Sequence, residues 1–262
     1  MFGINLNSVL PIRGEAREQS EMCSQLLFGE TFKVLEEVEN WYYVQCTGDK
    51  YRGWIDKKMA QLISDEEMDN LQKETPAVVN KPIANCFIRQ QNENIILSGG
   101  SLLHHYNTEK ESCTINGTTY HIAKELVNTD NNRPIDGDEL LTAAFMYLNT
   151  PYLWGGKNAL GIDCSGFVQV VFRICGRILP RDALQQVEVG RHISFLQEAQ
   201  SGDIAFFENK EGAISHVGIL INNTHIVHAS GRVKIEAIDN EGIISEINGS
   251  YTHQLRVIKR VL

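Results

Sequence analysis

One cysteine lies where the sequence favours nucleophilic chemistry. Cys164 stands in GIDCSGF, after a loop with Gly155, Gly156 and Gly161 and before the apolar run FVQVVFRICG. This pattern places Cys164 in the first turn of a helix, where unpaired N–H groups and the helix dipole favour an anion. We therefore expect a lowered thiol pKa and an available thiolate. Cys175, at the far end of the same run, experiences the opposite field.

Two histidines are suited to assist that thiol. His216 in SHVGILI is the candidate base that would later protonate a leaving amine. If a three-residue turn joins this strand to HIVHAS, then Gly218 pairs with His228, and His216 and His228 share one face within side-chain reach. His228 could then bond the far ring nitrogen of His216 and fix its tautomer. A two-residue turn would place the two histidines on opposite faces.

Composition limits the classes of function. The chain has 262 residues, a net charge of −9 and six cysteines without a CxxC pair. The negative charge argues against nucleic acid or an anionic membrane as a partner. The number and spacing of the cysteines predict neither a structural metal site nor a disulfide scaffold. No apolar run is long enough for a membrane span. The N-terminal segment lacks the features of a signal peptide, which favours a cytoplasmic protein, with export after leader removal as the alternative.

The predicted organisation is two small β domains followed by an α+β domain. Residues 1–63 show short alternating strands typical of a small barrel, and residues 64–77 form a polar linker with a helix start at Ser64. Residues 78–126 repeat the β pattern, with Asn116-Gly117 as a hairpin turn, and residues 127–135 form a second linker.

Residues 136–262 predict helices first and an antiparallel meander second. DELLTAAFMYL, residues 138–148, has helical periodicity, and CSGFVQVVFRICG is apolar all round, as expected for a buried helix that ends at Gly176. The segments DIAFF, SHVGILI and HIVHAS then read as three strands.

Several motifs in this order carry a family resemblance. TPYLWGGKNALGIDCSGFVQVVF, LPRDALQQ, SGDIAFF, SHVGILI and HIVHASG closely resemble the NlpC/P60 family of papain-like cell-wall peptidases. Residues 1–126 resemble two bacterial SH3-like (SH3b) domains, the first marked by NWYYV and YRGWI. The whole is similar to the YkfC-type γ-D-glutamyl-L-diamino acid endopeptidases. The resemblance implies a papain-like NlpC/P60 catalytic domain preceded by two small all-β SH3-like barrels.

The resemblance also implies an activity. It is hydrolysis of the amide between γ-D-glutamate and a diamino acid, meso-diaminopimelate or lysine, in murein peptides during cell-wall peptide recycling. Cys164 would attack the γ-carbonyl, His216 would act as general base and acid, and His228 would orient His216. The reaction passes through a thioester and needs no metal or other cofactor.

A subsite for a free N-terminal L-Ala follows from the same resemblance. Asp163, Tyr51 and Glu21 match residues that bind the substrate ammonium, and Ser165 and Asp182 are further substrate-binding candidates. Asp163 would weaken the thiolate unless a cation lay against it, and a bound ammonium would supply one. The same carboxylate is also suited to cap the helix that starts at Cys164.

Two other functions fit the sequence. One is a catalytically inert peptidoglycan-binding module, and the other is an acyl transferase or amidase that uses the same Cys-His-His site. Ala183 stands where many relatives carry Ser, which leaves specificity at that subsite open. The sequence also leaves open the choice between diaminopimelate and lysine and the oligomeric state.

Overall fold

A seven-stranded antiparallel sheet forms the first part of the protein in the computed structural model, which describes residues 1–131 and 133–261. This first β unit consists of β1 (Phe2–Ile4), β2 (Val9–Arg13), β3 (Met22–Leu27), β4 (Thr31–Val38), β5 (Trp41–Cys46), β6 (Arg52–Asp56) and β7 (Gln61–Ile63). The strand order is β3-β2-β6-β5-β4-β1-β7. Because side chains alternate along β2, Leu10 and Ile12 enter the same core as Phe32 and Val44.

A capped helix follows the first β unit. Helix α1 (Asp65–Leu71) begins at Ser64, whose Oγ accepts the N–H of Glu67 at 3.1 Å, while the Glu67 carboxylate accepts the N–H of Ser64 at 2.9 Å. The reciprocal bonds satisfy two N–H groups at the helix start, which confirms the start predicted at Ser64. Met68 and Leu71 are buried, so the segment predicted as the first linker contributes to a core.

The second β unit contains two small antiparallel sheets, ordered β10-β9-β13-β12 and β11-β8-β14. Its strands are β8 (Ala77–Val79), β9 (Ile83–Ile88), β10 (Glu93–Ser98), β11 (Leu102–Leu103), β12 (Ser112–Ile115), β13 (Thr118–His121) and β14 (Val127–Asn128). Asn116 and Gly117 have φ values of 48° and 73° between β12 and β13, which confirms the predicted hairpin turn. Strand β14 lies in the segment predicted as the second linker.

The C-terminal unit combines helices with a closed sheet. Its elements are α2 (Gly137–Phe145), β15 (Lys157–Asn158), β16 (Gly161–Ile162), α3 (Cys164–Ile174), α4 (Ala183–Gln186), β17 (Arg191–Ile193), β18 (Ile204–Glu208), β19 (Ile214–Leu220), β20 (His225–Ser230), β21 (Arg232–Ile238), β22 (Gly242–Ile244) and β23 (Tyr251–Arg260). The sheet order is β17-β23-β18-β19-β20-β21-β22, and β22 also pairs with β23, which closes the sheet on itself. The predicted meander corresponds to β18, β19 and β20. Every helix within residues 1–131 and 133–261 falls short of the length and apolarity that a bilayer crossing requires.

Helix α3 is the buried helix that the sequence predicts. All eleven of its residues are buried, and it packs against β19, β20 and α2. Gly176 follows with a φ of 86°, a conformation that favours glycine just after a helix end. Helix α2 stops earlier than predicted, because the N–H of Tyr147 bonds the carbonyl of Ala144 and tightens the chain into a turn.

A buried group of charges joins the first β unit to the C-terminal unit. Glu30 pairs with Lys157 at 3.2 Å and with Arg173, and all three side chains are buried; these three residues form the ionic junction. Burial alone would raise the pKa of Glu30, but Arg173 and Lys157 outweigh burial and lower this pKa to about 2. Gln25 adds a neutral bond, since its Oε1 accepts the N–H of Lys157 at 2.8 Å.

An apolar core joins the first β unit to the second. The ring of Phe28 meets Tyr120 edge-on with ring centroids 4.9 Å apart, and Ile4 and Ile63 belong to the same cluster; these four residues form the apolar junction. Each large apolar side chain that is fully buried contributes about 1.5–3 kcal/mol. The hydrophobic effect therefore helps to hold the second β unit, together with the 2.8 Å bond from the N–H of Leu102 to the carbonyl of Phe28.

Candidate active site

Cys164 is the first residue of α3, at the end of a tightly folded loop. Asp163 is the N-cap, and its Oδ1 accepts the N–H of Gly166 at 2.7 Å. Gly155 has a φ of 75°, and a Cβ at this position would lie 2.2 Å from the carbonyl oxygen of Met22. Glycine is therefore required where the loop meets the first β unit. These contacts fix the start of α3, and with it the Cys164 thiol.

The Cys164 thiol is protonated at neutral pH. Burial, followed by the charge of Asp163, raises its pKa to about 11, although N–H groups of Val217 and Ser165 act in the opposite direction. The expectation of a lowered thiol pKa is wrong, because burial outweighs the favourable field of the helix start. Catalysis by this thiol therefore requires a base.

The two strand histidines adopt the predicted register. Gly218 pairs with His228, and the N–H of Ile221 bonds the carbonyl of His225 at 2.9 Å, which confirms the three-residue turn. His216 Nε2 and His228 Nδ1 lie 2.9 Å apart, and both side chains are buried. Burial lowers the pKa of each imidazole, and that of His216 falls well below its ordinary value. Both rings are therefore neutral at pH 7, and His216 has the protonation state of a base.

A buried ion pair holds the carboxylate next to the nucleophile. Arg181 Nη2 lies 2.5 Å from Asp163 Oδ2, and Arg181 Nη1 donates to Asp163 Oδ1 at 3.0 Å and to Ser165 Oγ at 2.8 Å. Asp163 Oδ2 also accepts the N–H of Gly155 at 2.9 Å. The argument that a substrate ammonium must neutralise Asp163 is therefore wrong, because Arg181 already supplies that cation.

A cavity of about 590 Å³ beside Cys164 is lined by the predicted substrate-binding residues. They come from both the first β unit and the C-terminal unit, and they are Glu21, Tyr51, Asp163, Ser165 and Asp182. Burial, followed by Asp182, Cys23 and Glu21, raises the pKa of Tyr51, so its phenol is a hydrogen-bond donor among carboxylates. Burial also raises the pKa of Asp182, and Arg181 only partly offsets it. A ligand cation would therefore be stabilised here.

A second cavity, of about 300 Å³, also borders Cys164. Cys164 and His216 line it together, and its remaining walls are Tyr152, Ser215, Ala229, Ser230, Gly231 and His253. Cys164 therefore borders both an acidic cleft and a largely neutral one. All eight predicted site residues are brought together, with His228 directly behind His216.

Comparison with known proteins identifies both the catalytic region and the first β unit. Residues 149–257 match the NlpC/P60 family, and residues 12–59 match the bacterial dipeptidyl-peptidase Sh3 domain. A Bacillus subtilis protein named gamma-D-glutamyl-L-lysine dipeptidyl-peptidase is 30% identical over 218 residues, which are 79% of this chain and 71% of that protein. The chain belongs to the NlpC/P60 family. It is accordingly a hydrolase of the cysteine peptidase class.

Other proteins are similar to this NlpC/P60 protein over most of its length. A Bacillus cereus protein with the same name is 26% identical over 252 residues, covering 88% of this chain and 75% of that protein. Dipeptidyl-peptidase 6 of Lysinibacillus sphaericus is 26% identical, with coverage of 85% and 86%. A crystal structure of an NlpC/P60 family protein from Bacillus cereus covers both chains completely with a TM-score of 0.84 at 21% identity. The shared fold confirms the predicted fold class.

The NlpC/P60 site contains Arg181 and two further residues that sequence reasoning missed. Glu236 Oε2 lies 2.9 Å from His228 Nε2, and the His253 ring stacks on His216 with centroids 4.1 Å apart. The tight hairpin at Gly231 was a usable signal for Glu236, because it pairs His228 with Lys234, two residues before Glu236. His253 lies on β23, far along the chain, and no local pattern points to it.

The histidine side chains of this NlpC/P60 site contact one another directly. All six cysteines are free thiols. Within residues 1–131 and 133–261, no group of three or more His, Cys, Asp or Glu has a metal-binding arrangement. The histidines instead form a hydrogen-bonded and stacked cluster behind the thiol.

Proposed function

We propose that the protein hydrolyses the γ-D-glutamyl–diamino acid amide of murein peptides that carry a free N-terminal L-Ala. The observation that carries the proposal is the position of Cys164, which borders one cavity together with His216 of the neutral histidine pair and also borders the acidic cleft. The names of the relatives from Bacillus subtilis and Bacillus cereus specify the γ-D-glutamyl-L-lysine bond.

In the first half of the proposed reaction, His216 removes the thiol proton as Cys164 Sγ attacks the γ-carbonyl carbon. The resulting oxyanion lies at the start of α3, where the N–H of Cys164 is a donor. The C–N bond then breaks, His216 returns the proton to the leaving amine, and a thioester remains. His228 holds the His216 ring throughout by the 2.9 Å bond.

Water completes the reaction. His216 takes a proton from the water that attacks the thioester carbon, the C–S bond breaks, and the thiol recovers a proton. The products are a dipeptide that ends in a free γ-carboxyl group and a peptide that begins with the diamino acid.

The acidic cleft supports selection for a free amine. Glu21 and Asp182 are carboxylates near the Tyr51 hydroxyl, and the three line the cleft beside Cys164 where the proposed reaction places the acyl part of the substrate. An ammonium bonded to these groups gains charge-assisted hydrogen bonds, which are worth about 1.5–3 kcal/mol each. Asp163 and Ser165 contribute by fixing Arg181 and the start of α3.

The selectivity suggests a biological role. A free L-Ala amine exists on peptides that have already been cut from the glycan. We therefore propose that the enzyme acts on released wall fragments during recycling, in the cytoplasm, and not on intact wall.

The test is hydrolysis of L-Ala-γ-D-Glu-diaminopimelate and of its lysine counterpart, each free and N-acetylated, followed by mass spectrometry. Cys164→Ala should reduce the rate by about 10³-fold or more. Cys175→Ala removes an equally buried thiol at the other end of α3 and should leave the rate unchanged. Cleavage by Cys164→Ala at the wild-type rate would remove the nucleophile assignment.

The ammonium subsite has its own test. Tyr51→Phe and Asp182→Asn should raise KM for the free peptides about tenfold or more, since each loses a bond to a charged group. KM for the acetylated peptides should be unchanged. Equal effects on both peptide forms would refute the subsite, and absence of cleavage in all peptides would favour a binding module.

A further inference from the structure

The hydrogen bonds behind His216 end at a buried carboxylate. Glu236 is 2% exposed, and its Oε2 lies 2.9 Å from His228 Nε2 and 3.0 Å from Lys234 Nζ, while its Oε1 accepts the N–H of Glu246 at 3.2 Å. Two donors other than His228 therefore hold this carboxylate in place. No step of the proposed reaction uses Glu236 directly.

The chemistry of these groups fixes the direction of every bond. An ionised carboxylate only accepts, so His228 Nε2 carries a proton and donates it to Glu236. A neutral imidazole has one donor and one acceptor, so His228 Nδ1 accepts, and His216 Nε2 must donate to it. The remaining nitrogen of His216, Nδ1, is then left without a proton.

We propose that Glu236 is a positioning residue that acts through His228 to hold the proton of His216 on Nε2, leaving His216 Nδ1 as the base for Cys164. This inference rests on the proposed function, in which His216 is the base. Without Glu236, either nitrogen of His228 could carry the proton, and half of the possible arrangements would place a proton between His216 and the thiol.

The charges around Glu236 support its role in selecting which ring nitrogens carry protons. Lys234 on β21 pairs with the same carboxylate, and His253 on β23 stacks on His216. Burial holds the pKa of His253 at about 4, so this ring is neutral beside His216 on β19 and His228 on β20. Because Lys234 offsets the negative charge, the main effect of Glu236 is to select which ring nitrogen holds the proton.

Glu236→Gln is the decisive variant because the glutamine side chain has nearly the same shape as the glutamate side chain. The backbone N–H of Glu246 is fixed and requires an acceptor, whereas the Lys234 side chain is 18% exposed and can turn to water. The amide oxygen therefore stays on the N–H of Glu246, and the NH₂ group faces His228 Nε2. The proton of His228 must then move to Nδ1, and the proton of His216 must move to Nδ1, facing the thiol. We expect kcat to fall about 10²-fold or more with little change in KM, as for a triad with an inverted tautomer.

The direct readout is the ¹⁵N NMR of histidine side chains in the full-length protein at pH 7.5 without substrate. Wild type should show His216 and His228 protonated on Nε2, and Glu236→Gln should move both protons to Nδ1. Asp203→Asn makes the same chemical change at a buried carboxylate paired with Arg260, and it should leave both tautomers and kcat unchanged.

Two results would overturn the inference: a wild-type His216 protonated on Nδ1, or a Glu236→Gln enzyme with unchanged tautomers. The wild-type spectrum alone tests the assignment if Glu236→Gln does not fold. The spectra also separate this inference from the proposed function. Failure to cleave murein peptides would refute the function, whereas the tautomers are measured without substrate.

Discussion

The two junctions of the first β unit differ in chemistry and in what they control. The ionic junction consists of directional contacts between buried charges, whereas the apolar junction has no directional requirement. Glu21 and Tyr51 of the first β unit line the acidic cleft, but no described residue between 77 and 128 lines it. The first β unit is therefore a wall of the active site, whereas the second contacts the far end of α3, where Asn128 Nδ2 donates to the carbonyl of Ile174 at 3.0 Å.

The largest expected effect comes from breaking the ionic junction. Glu30→Gln leaves Arg173 and Lys157 buried without their carboxylate, which should lower the free energy of unfolding by about 3–5 kcal/mol. KM for free-amino peptides should also rise, because Glu21 and Tyr51 lose their fixed position relative to Cys164. Urea denaturation and steady-state kinetics measure the two effects.

A surface pair is the control for this variant. Glu37→Gln removes the partner of Lys57 at a half-exposed carboxylate, and its effect on the unfolding free energy should stay within about 0.5 kcal/mol. If Glu30→Gln were as mild as Glu37→Gln, the ionic junction would not hold the two units together.

Acid should weaken the ionic junction specifically. The pKa of Glu30 is about 2 in the folded protein, below its ordinary value of 4.5, so its stabilising contribution is complete above pH 4.5 and is lost as pH falls toward 2. The difference in unfolding free energy between wild type and Glu30→Gln should therefore shrink over this range. A difference that is constant from pH 6 to pH 2.5 would contradict the assignment.

The stability that the apolar junction contributes should not depend on pH. Phe28→Leu removes part of a buried ring that contacts Tyr120, and it should lower the unfolding free energy by about 1–2 kcal/mol. This loss should be the same at pH 6 and pH 3, and KM of the folded enzyme should not change. A raised KM would show that the second β unit also positions the cleft.

The smallest effect is expected at the margin of the ionic junction. Asp49 is half-buried and accepts a bond from the Gln169 amide at 2.9 Å. Asp49→Ala should lower the unfolding free energy by about 1 kcal/mol and raise KM for free-amino peptides slightly, because Asp49 Oδ1 also accepts the N–H of Tyr51 at 3.0 Å. A loss as large as that of Glu30→Gln would extend the junction to this bond, and calorimetry can separate the two cases.

Local patterns in the sequence predict the elements that hold the nucleophile and the histidines. The cap at Ser64, the buried helix from Cys164 and the pairing of Gly218 with His228 all depend on residues close together in the chain. Strand β23 closes the sheet because it pairs with β22 and also with β17 and β18, which lie far from it in the chain. The meander predicted from the sequence does not include this closure.

The pKa values and ion pairs of the site are harder to predict from the sequence than the residues that form it. The position of Cys164 at a helix start predicts a lowered thiol pKa, yet burial raises this pKa to about 11. Arg181 neutralises Asp163 from a loop beyond α3, and Glu236 reaches His228 from the next strand. The hairpin at Gly231 indicates the contact of Glu236, whereas burial and the ion pair of Arg181 cannot be read from the spacing of residues.

Trp154 gives the enzyme a natural optical signal. Its indole is 61% exposed, lines the acidic cleft and donates to Glu21 Oε1 at 2.5 Å across the two units. A ligand ammonium that binds Glu21 competes for this carboxylate and returns the indole N–H to water. The emission of Trp154 should therefore shift as the cleft fills, and Trp154→Phe, which keeps Trp41 and Trp54, supplies the background fluorescence.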